Sequence, residues 1–221
     1  AILILSLLDN REYQAVLNAN SPSFLVPREP DAGDIMVNYP LLGGQHIWEG
    51  VDHLLFVFGL LLLVGGGKPL VWTITAFTLG HSVTLALVTL KILTFSSTLA
   101  EFLIAVSIFV LALELAGKES SGLLWKNPWW LAGGFGLLHG MGFAGALAET
   151  GLPQNEVPLA LLFFNLGIEI GQLLFIFAVY VLWLLFKSVV PKNPLLMKVP
   201  VYTLGGLSAM WCIQRGTELI Y

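Results

Sequence analysis

From residue 43 onward the chain is a succession of six apolar runs, at about 43–65, 70–91, 98–117, 128–149, 157–187 and 199–219. Crossing the roughly 30 Å of bilayer hydrocarbon takes about 20 helical residues, and each run is close to that length. Lipid offers no partner to a backbone N–H or C=O, so a spanning segment must be a helix or part of a closed barrel. These runs lack the alternation of barrel strands, which leaves helices. Charged residues make up 11% of the chain, against about 25% in soluble domains, which excludes a large soluble core. The expected fold class is an all-α membrane protein: a bundle of six transmembrane helices preceded by the β-hairpin remnant of an extracytoplasmic domain.

The first 40 residues have a different texture. Ile2–Leu8 and Tyr13–Leu17 are apolar, β-leaning runs split by Asp9-Asn10-Arg11-Glu12, which reads as a hairpin. Pro22, Pro27 and Pro30 then mark a linker. The expected division is residues 1–40, hairpin and linker at the end of a larger N-terminal domain, and 41–221, the transmembrane domain. The chain starts at Ala1 rather than Met, so a longer precursor is expected. The net charge of -4 shows no basic stripe, so nucleic acid is not an expected partner; the bilayer and an ion are, and a homo-oligomer is compatible. The one cysteine, Cys212, cannot form an internal disulfide and reads as a small buried hydrophobe.

Orientation follows from Lys and Arg in the short connections. The first, third and fifth carry Lys68, Lys118, Lys126, Lys187, Lys192 and Lys198, whereas the second and fourth carry only Lys91. The basic side should be cytoplasmic, which puts both termini outside, in a multi-pass protein of a bacterial inner membrane.

All four histidines lie inside the apolar runs. An ionisable side chain is costly at bilayer depth and usually marks an ion path, a proton relay or a metal site. The first run holds His46-Ile-Trp-Glu-Gly-Val-Asp52-His53. On a regular helix His46 and His53 share a face but stand about 10.5 Å apart in height. One ion, with ligand bonds near about 2 Å, cannot easily reach both. Two successive sites, or an unwound segment at Gly43-Gly44 or Gly50, fit better. Glu49 lies on the same stripe, while Asp52 points toward a neighbouring helix. Hydrogen bonding between helices is the plain alternative for a lone histidine, and a poor one for four such groups within eight residues.

The other spans add partners. His81 sits mid-span among Thr75, Thr78, Ser82 and Thr84, hydroxyls that commonly bond backbone or join helices. His139 stands in a glycine-dense stretch, Gly133 to Gly145, which suits close helix approach or a helix break. Phe-x-Leu-x-His occurs at both Phe77–His81 and Phe135–His139, a weak internal echo. Asn165, Glu169 and Gln172 share one face of the fifth span, where Glu169 is either hydrogen-bonded and neutral or ionised beside a cation. Glu101 and Glu149, at the outward ends of their spans, would either form an acidic mouth with Glu49 or simply be exposed at the interface. Glu114 and Glu218 read as interfacial, and Arg215 as a partner for Glu218 or an outer carboxylate.

Imidazoles with carboxylates and no usable thiolate suit borderline divalent ions such as Ni, Co, Zn or Fe. Residue types do not choose among them. The candidate ligands are His46, Asp52, His53, His81, His139 and Glu169, with Glu49, Glu101 and Glu149 drawing the ion in. Two rivals stand beside a transporter. An intramembrane zinc hydrolase would hold a catalytic ion in a closed site with Glu169 or Asp52 as base, and a b-type haem protein would use His81 and His139 as axial ligands.

The linked motifs also resemble a known family. His46, five residues, then Asp52-His53 is similar to the signature of the HupE/UreJ membrane proteins. So are Gly50-Val51-Asp52-His53-Leu54-Leu55-Phe56, Ala76-Phe77-Thr78-Leu79-Gly80-His81-Ser82, Phe135-Gly136-Leu137-Leu138-His139-Gly140 and Phe164-Asn165-Leu166-Gly167-Ile168-Glu169. The likeness spans nearly everything from residue 40 and points to the branch with an extracytoplasmic N-terminal domain. It implies a permease for nickel, sometimes cobalt, with His46, Asp52 and His53 as the metal motif. Shorter members carry a second His-Gly motif richer in histidine, where this chain has His139 followed by Gly-Met-Gly-Phe-Ala-Gly. The expectation is a six-helix transporter that admits a divalent transition metal ion, nickel favoured, Zn or Co open. With no nucleotide-binding loop, its drive would be the membrane potential or a coupled ion.

Overall fold

The computed structural model describes residues 2–6, 12–16, 31–117, 126–149, 156–189, 193 and 198–220, with side chains from residue 31 onward except 143–149. The chain divides into two units, Ala1–Asp31 and Ala32–Tyr221. In the first, β1 (Ile2–Ser6) pairs antiparallel with β2 (Glu12–Val16), Ile2 opposite Val16 and Ser6 opposite Glu12. The residues between the strands lie outside the described set.

The second unit is helical: α1 (Ala32–Glu49), α2 (Val51–Val64), α3 (Lys68–Thr89), α4 (Ser97–Ala116), α5 (Pro128–Glu149), α6 (Val157–Phe186) and α7 (Val199–Glu218). Among the described residues α3, α4 and α6 are each long and apolar enough to cross a bilayer, and α1 with α2 makes a fourth if the bent pair is one span. Helices α5 and α7 have the length, but α5 is diluted by glycine and α7 by Thr, Ser, Gln, Arg and Glu.

Two features depart from the sequence expectation. Helix begins at Ala32, so residues 32–40, read as linker, are the first turns of α1. The run 43–65, read as one span, is broken at Gly50, where the axis turns by 79°. Gly50 has φ -80 and ψ 89, off the helical region, yet the backbone ladder survives on both sides: Gly50 N–H donates to the His46 carbonyl at 3.0 Å and Leu54 N–H to the Gly50 carbonyl at 3.0 Å. A Cβ at Gly50 would stand 2.7 Å from His53 Nδ1, so the bend closes only around a residue with no side chain.

Helix pairing is set by small residues. Helix α3 packs along α5, α1 along α6 and α4 along α7. In the first pair a Cβ at Gly136 would fall on the Phe77 carbonyl, and one at Gly140 on the His81 carbonyl. Backbones this close gain dispersion contact that lipid chains cannot match, which is how helices associate where no hydrophobic effect drives them together. One apolar cluster forms around Phe56, Leu60, Ile74, Phe77 and Ile108, and a second around Ile35, Ile47, Leu85 and Phe164. Outward positions are apolar too: Trp72, Phe177 and Ile213 are 70%, 63% and 70% exposed. A water-facing surface avoids such continuous apolar exposure, and a lipid-facing one requires it.

The seam between α3 and α5 makes a contrast. Gly136→Leu should cost about 1–3 kcal/mol of stability through overpacking. Gly134→Ala should be neutral or stabilising, since nothing lies within 4 Å of a Cβ there and Ala outranks Gly in a helix by about 1 kcal/mol. Thermal unfolding of both variants in detergent checks this, and equal midpoints would contradict the close approach.

Candidate metal centre

The bend at Gly50 decides the geometry. It folds α2 back so that the rings of His46 and His53, expected two turns apart, have centroids 4.7 Å apart. His53 then reaches both neighbouring walls: its centroid is 5.9 Å from that of His81 on α3 and 5.2 Å from that of His139 on α5. His46 and His81 are 6.1 Å apart. Four imidazoles from four helices thus form one contiguous group with His53 at its centre. His81 and His139 are fully buried and His53 nearly so, while His46 is half-buried.

Hydrogen bonds orient two of the rings. His53 Nδ1 stands 3.1 Å from Asp52 Oδ1, and the same oxygen accepts the His53 backbone N–H at 2.9 Å. Asp52 lies in the first turn of α2, where the positive end of the helix dipole favours its ionised form. The proton of His53 therefore belongs on Nδ1, which leaves the Nε2 lone pair bare. His139 Nε2 is 3.0 Å from Ser107 Oγ, whose own hydrogen goes to the Ile104 carbonyl at 2.7 Å. The hydroxyl can then only accept from His139, so the ring is protonated on Nε2 and bare on Nδ1. This pairing of one nitrogen with a fixed partner and the other with none is how metal-binding histidines are set in their tautomer. His53 Nε2, His139 Nδ1 and both nitrogens of His81 are buried without a hydrogen-bond partner among the described residues. Leaving a buried polar atom unsatisfied costs about 1–3 kcal/mol each, so a group of them calls for a polar ligand.

A cavity of about 480 Å³ opens on this group, lined by His46, Asp52, His53 and His139 with Glu49 and Glu101. His81 stands behind, against His46 and His53. Glu169 is placed apart: its Oε1 accepts from Thr75 Oγ1 at 2.6 Å, and one turn on Gln172 Oε1 accepts from Thr78 Oγ1 at 3.0 Å. These pairs extend a polar track along α3 from His81 toward its N-terminal end. Asn165, on the same face of α6, bonds its own helix at the Leu161 carbonyl, 2.7 Å. The Glu149 side chain lies outside the described residues.

Sequence reasoning missed one participant and half of another's role. Arg215, read as a partner for Glu218 or an outer carboxylate, does lie beside Glu101, but it also lines the cavity with Nη2 3.5 Å from Asp52 Oδ2. As the one arginine in the run from Ala32 to Tyr221, it carried a signal of its own. Ser107 was passed over, although a lone hydroxyl in the middle of an apolar helix needs a partner.

The group forms a string of contacts. Among the described residues no three His, Cys, Asp or Glu side chains gather closely enough to hold a single ion. Nor is there a slot for haem between the proposed axial ligands, since Phe77 packs against both His81 and His139, with centroids 6.2 and 5.1 Å away. A closed catalytic zinc site needs three protein ligands on one ion, and this spread of donors does not support the hydrolase reading. Ser107→Ala should leave the His139 Nε2–H unsatisfied and lower stability by about 1–3 kcal/mol. The same variant should raise the share of the Nδ1–H tautomer in ¹⁵N spectra of the labelled ring, and an unchanged tautomer would contradict the assignment.

A family model described as HupE / UreJ protein matches residues 24–215, which covers most of the chain. No curated protein and no solved structure matches it.

Proposed function

The chain belongs to the HupE/UreJ family, which is associated with nickel and cobalt uptake, and on that premise we propose that it is a permease for a divalent transition metal ion, nickel first. The candidate spans and the family fit an integral membrane protein. The observation that carries the finer reading is the run of imidazole nitrogens, His53 Nε2, His139 Nδ1 and those of His81, buried with no hydrogen-bond partner among the described residues beside a cavity bordered by carboxylates.

In this reading Glu49 and Glu101 draw the ion to the cavity. His46 and Asp52 meet it first, and His53 passes it inward to His81 and His139. Neighbouring pairs of donors, each short of a full coordination shell, bind an ion firmly enough to strip water and loosely enough to release it. A closed tetrahedral site would keep it. Glu169, with Thr75 and Thr78, supplies oxygen donors further along α3. Oxygen suits nickel less well than imidazole and so favours onward movement. We place the cavity outside and the Lys-rich connections in the cytoplasm. A divalent ion moving inward then gains about 4.6 kcal/mol per 100 mV of membrane potential, enough for more than a thousandfold gradient without a nucleotide.

Nickel uptake into proteoliposomes tests the reading. The Asp52→Ala/His53→Ala double variant should fall to the level of empty liposomes, and uptake equal to wild type would remove the proposal. The pH profile has a fixed sign. A protonated imidazole has no lone pair to give, so uptake should be full at higher pH and fall on acidification as the imidazoles become protonated. Uptake that rises on acidification would instead point to proton-coupled movement without imidazole ligation.

A further inference from the structure

Arg215 places a fixed positive charge in the cavity through which a cation is to pass. Its Nη2 is 3.5 Å from Asp52 Oδ2, its Nε is 3.8 Å from Glu101 Oε2, and its Nη1 donates to the Glu101 carbonyl at 2.9 Å. The guanidinium lies over the Trp211 ring, 5.4 Å from its centroid. Three helices, α2, α4 and α7, therefore meet at one forked cation, whose side chain is only 17% exposed.

The carboxylate contacts are loose. Charge-assisted hydrogen bonds close to about 2.7–2.9 Å, whereas both carboxylate distances here are longer. A divalent ion on Asp52 and a guanidinium on the same carboxylate repel each other strongly where the dielectric is low, so the two compete for it. We propose that Arg215 is a tethered counter-cation that occupies the Asp52–Glu101 pair between transport events and is displaced by the arriving divalent ion. The inference rests on the reading of the cavity as an ion path. In it Arg215 is a positioning residue that acts through Asp52 and Glu101: it keeps the paired acids from holding the ion too long and returns to them as the ion moves on to the histidines.

Calorimetric titration of Ni²⁺ into the detergent-purified full chain tests this with R215Q and R215K. R215Q should bind Ni²⁺ about tenfold more tightly than wild type, and R215K, which keeps a charge, should stay within about threefold. Free guanidinium ion should weaken Ni²⁺ binding to R215Q and leave wild type unaffected, a rescue that a purely structural role would not produce. Wild type offers a readout that needs no variant. Phenylglyoxal modification of Arg215, followed by peptide mass mapping against Arg11 and Arg28, should speed up when Ni²⁺ is added. Binding to R215Q that equals or falls below wild type, or a labelling rate unmoved by Ni²⁺, overturns the inference and leaves the permease reading standing. Absence of Ni²⁺ binding in every form overturns both.

Discussion

A helix can be broken inside a membrane only if its backbone stays satisfied, because hydrocarbon returns none of the several kcal/mol that each orphaned N–H or C=O costs. The junction of α1 and α2 meets that condition at a single residue. Gly50 gives its N–H to the turn before and its carbonyl to the turn after, so a bend of 79° leaves its own donor and acceptor paired. Almost everything chemical about the molecule follows from that bend. It brings His46 against His53, puts Asp52 in the first turn of a new helix, and leaves no room at the elbow for a Cβ.

The polar interior is then held by graded constraint. His53 and His139 are locked by a carboxylate and a hydroxyl that are themselves engaged. His81 has no such hold and is set by packing alone between Phe77 and the other rings. Asp52 is shared among His53, its own helix N-terminus and Arg215, so any change of charge at one is felt at the others.

Much of this was legible in the sequence, for physical reasons. Apolar length announced helices because lipid permits little else, and histidines in hydrocarbon announced a site because they are costly there. The incompatibility of His46 and His53 on a straight helix left two successive sites or an unwound segment at Gly43-Gly44 or Gly50, and the structure takes the last. What it could not convey was distance between helices. Glu169 shares a residue type with the cavity acids, yet it faces Thr75 on α3 and not the cavity. Arg215 read as a partner for Glu218 or an outer carboxylate, and its proximity to Asp52 was hidden because it depends on how α7 packs beside α4. Apolar length was also a blunt guide where glycine serves as packing surface: α5 is weak by hydropathy because its glycines let it press against α3.

That pressing together has a mechanical side. Helices α3 and α5 touch through backbone at Gly136 and Gly140, with only the short Thr84 side chain beside the second contact. Two rods in such contact slide or pivot only by parting altogether, so His81 and His139 ride on one stiff plank. Helix α1, which carries His46, is seated on α6 in the same way, since a Cβ at Gly43 would fall on the Phe164 carbonyl and one at Gly167 on the Pro40 carbonyl. The bend at Gly50 lies between those two glycine-built seams, on the stretch that carries Asp52 and His53.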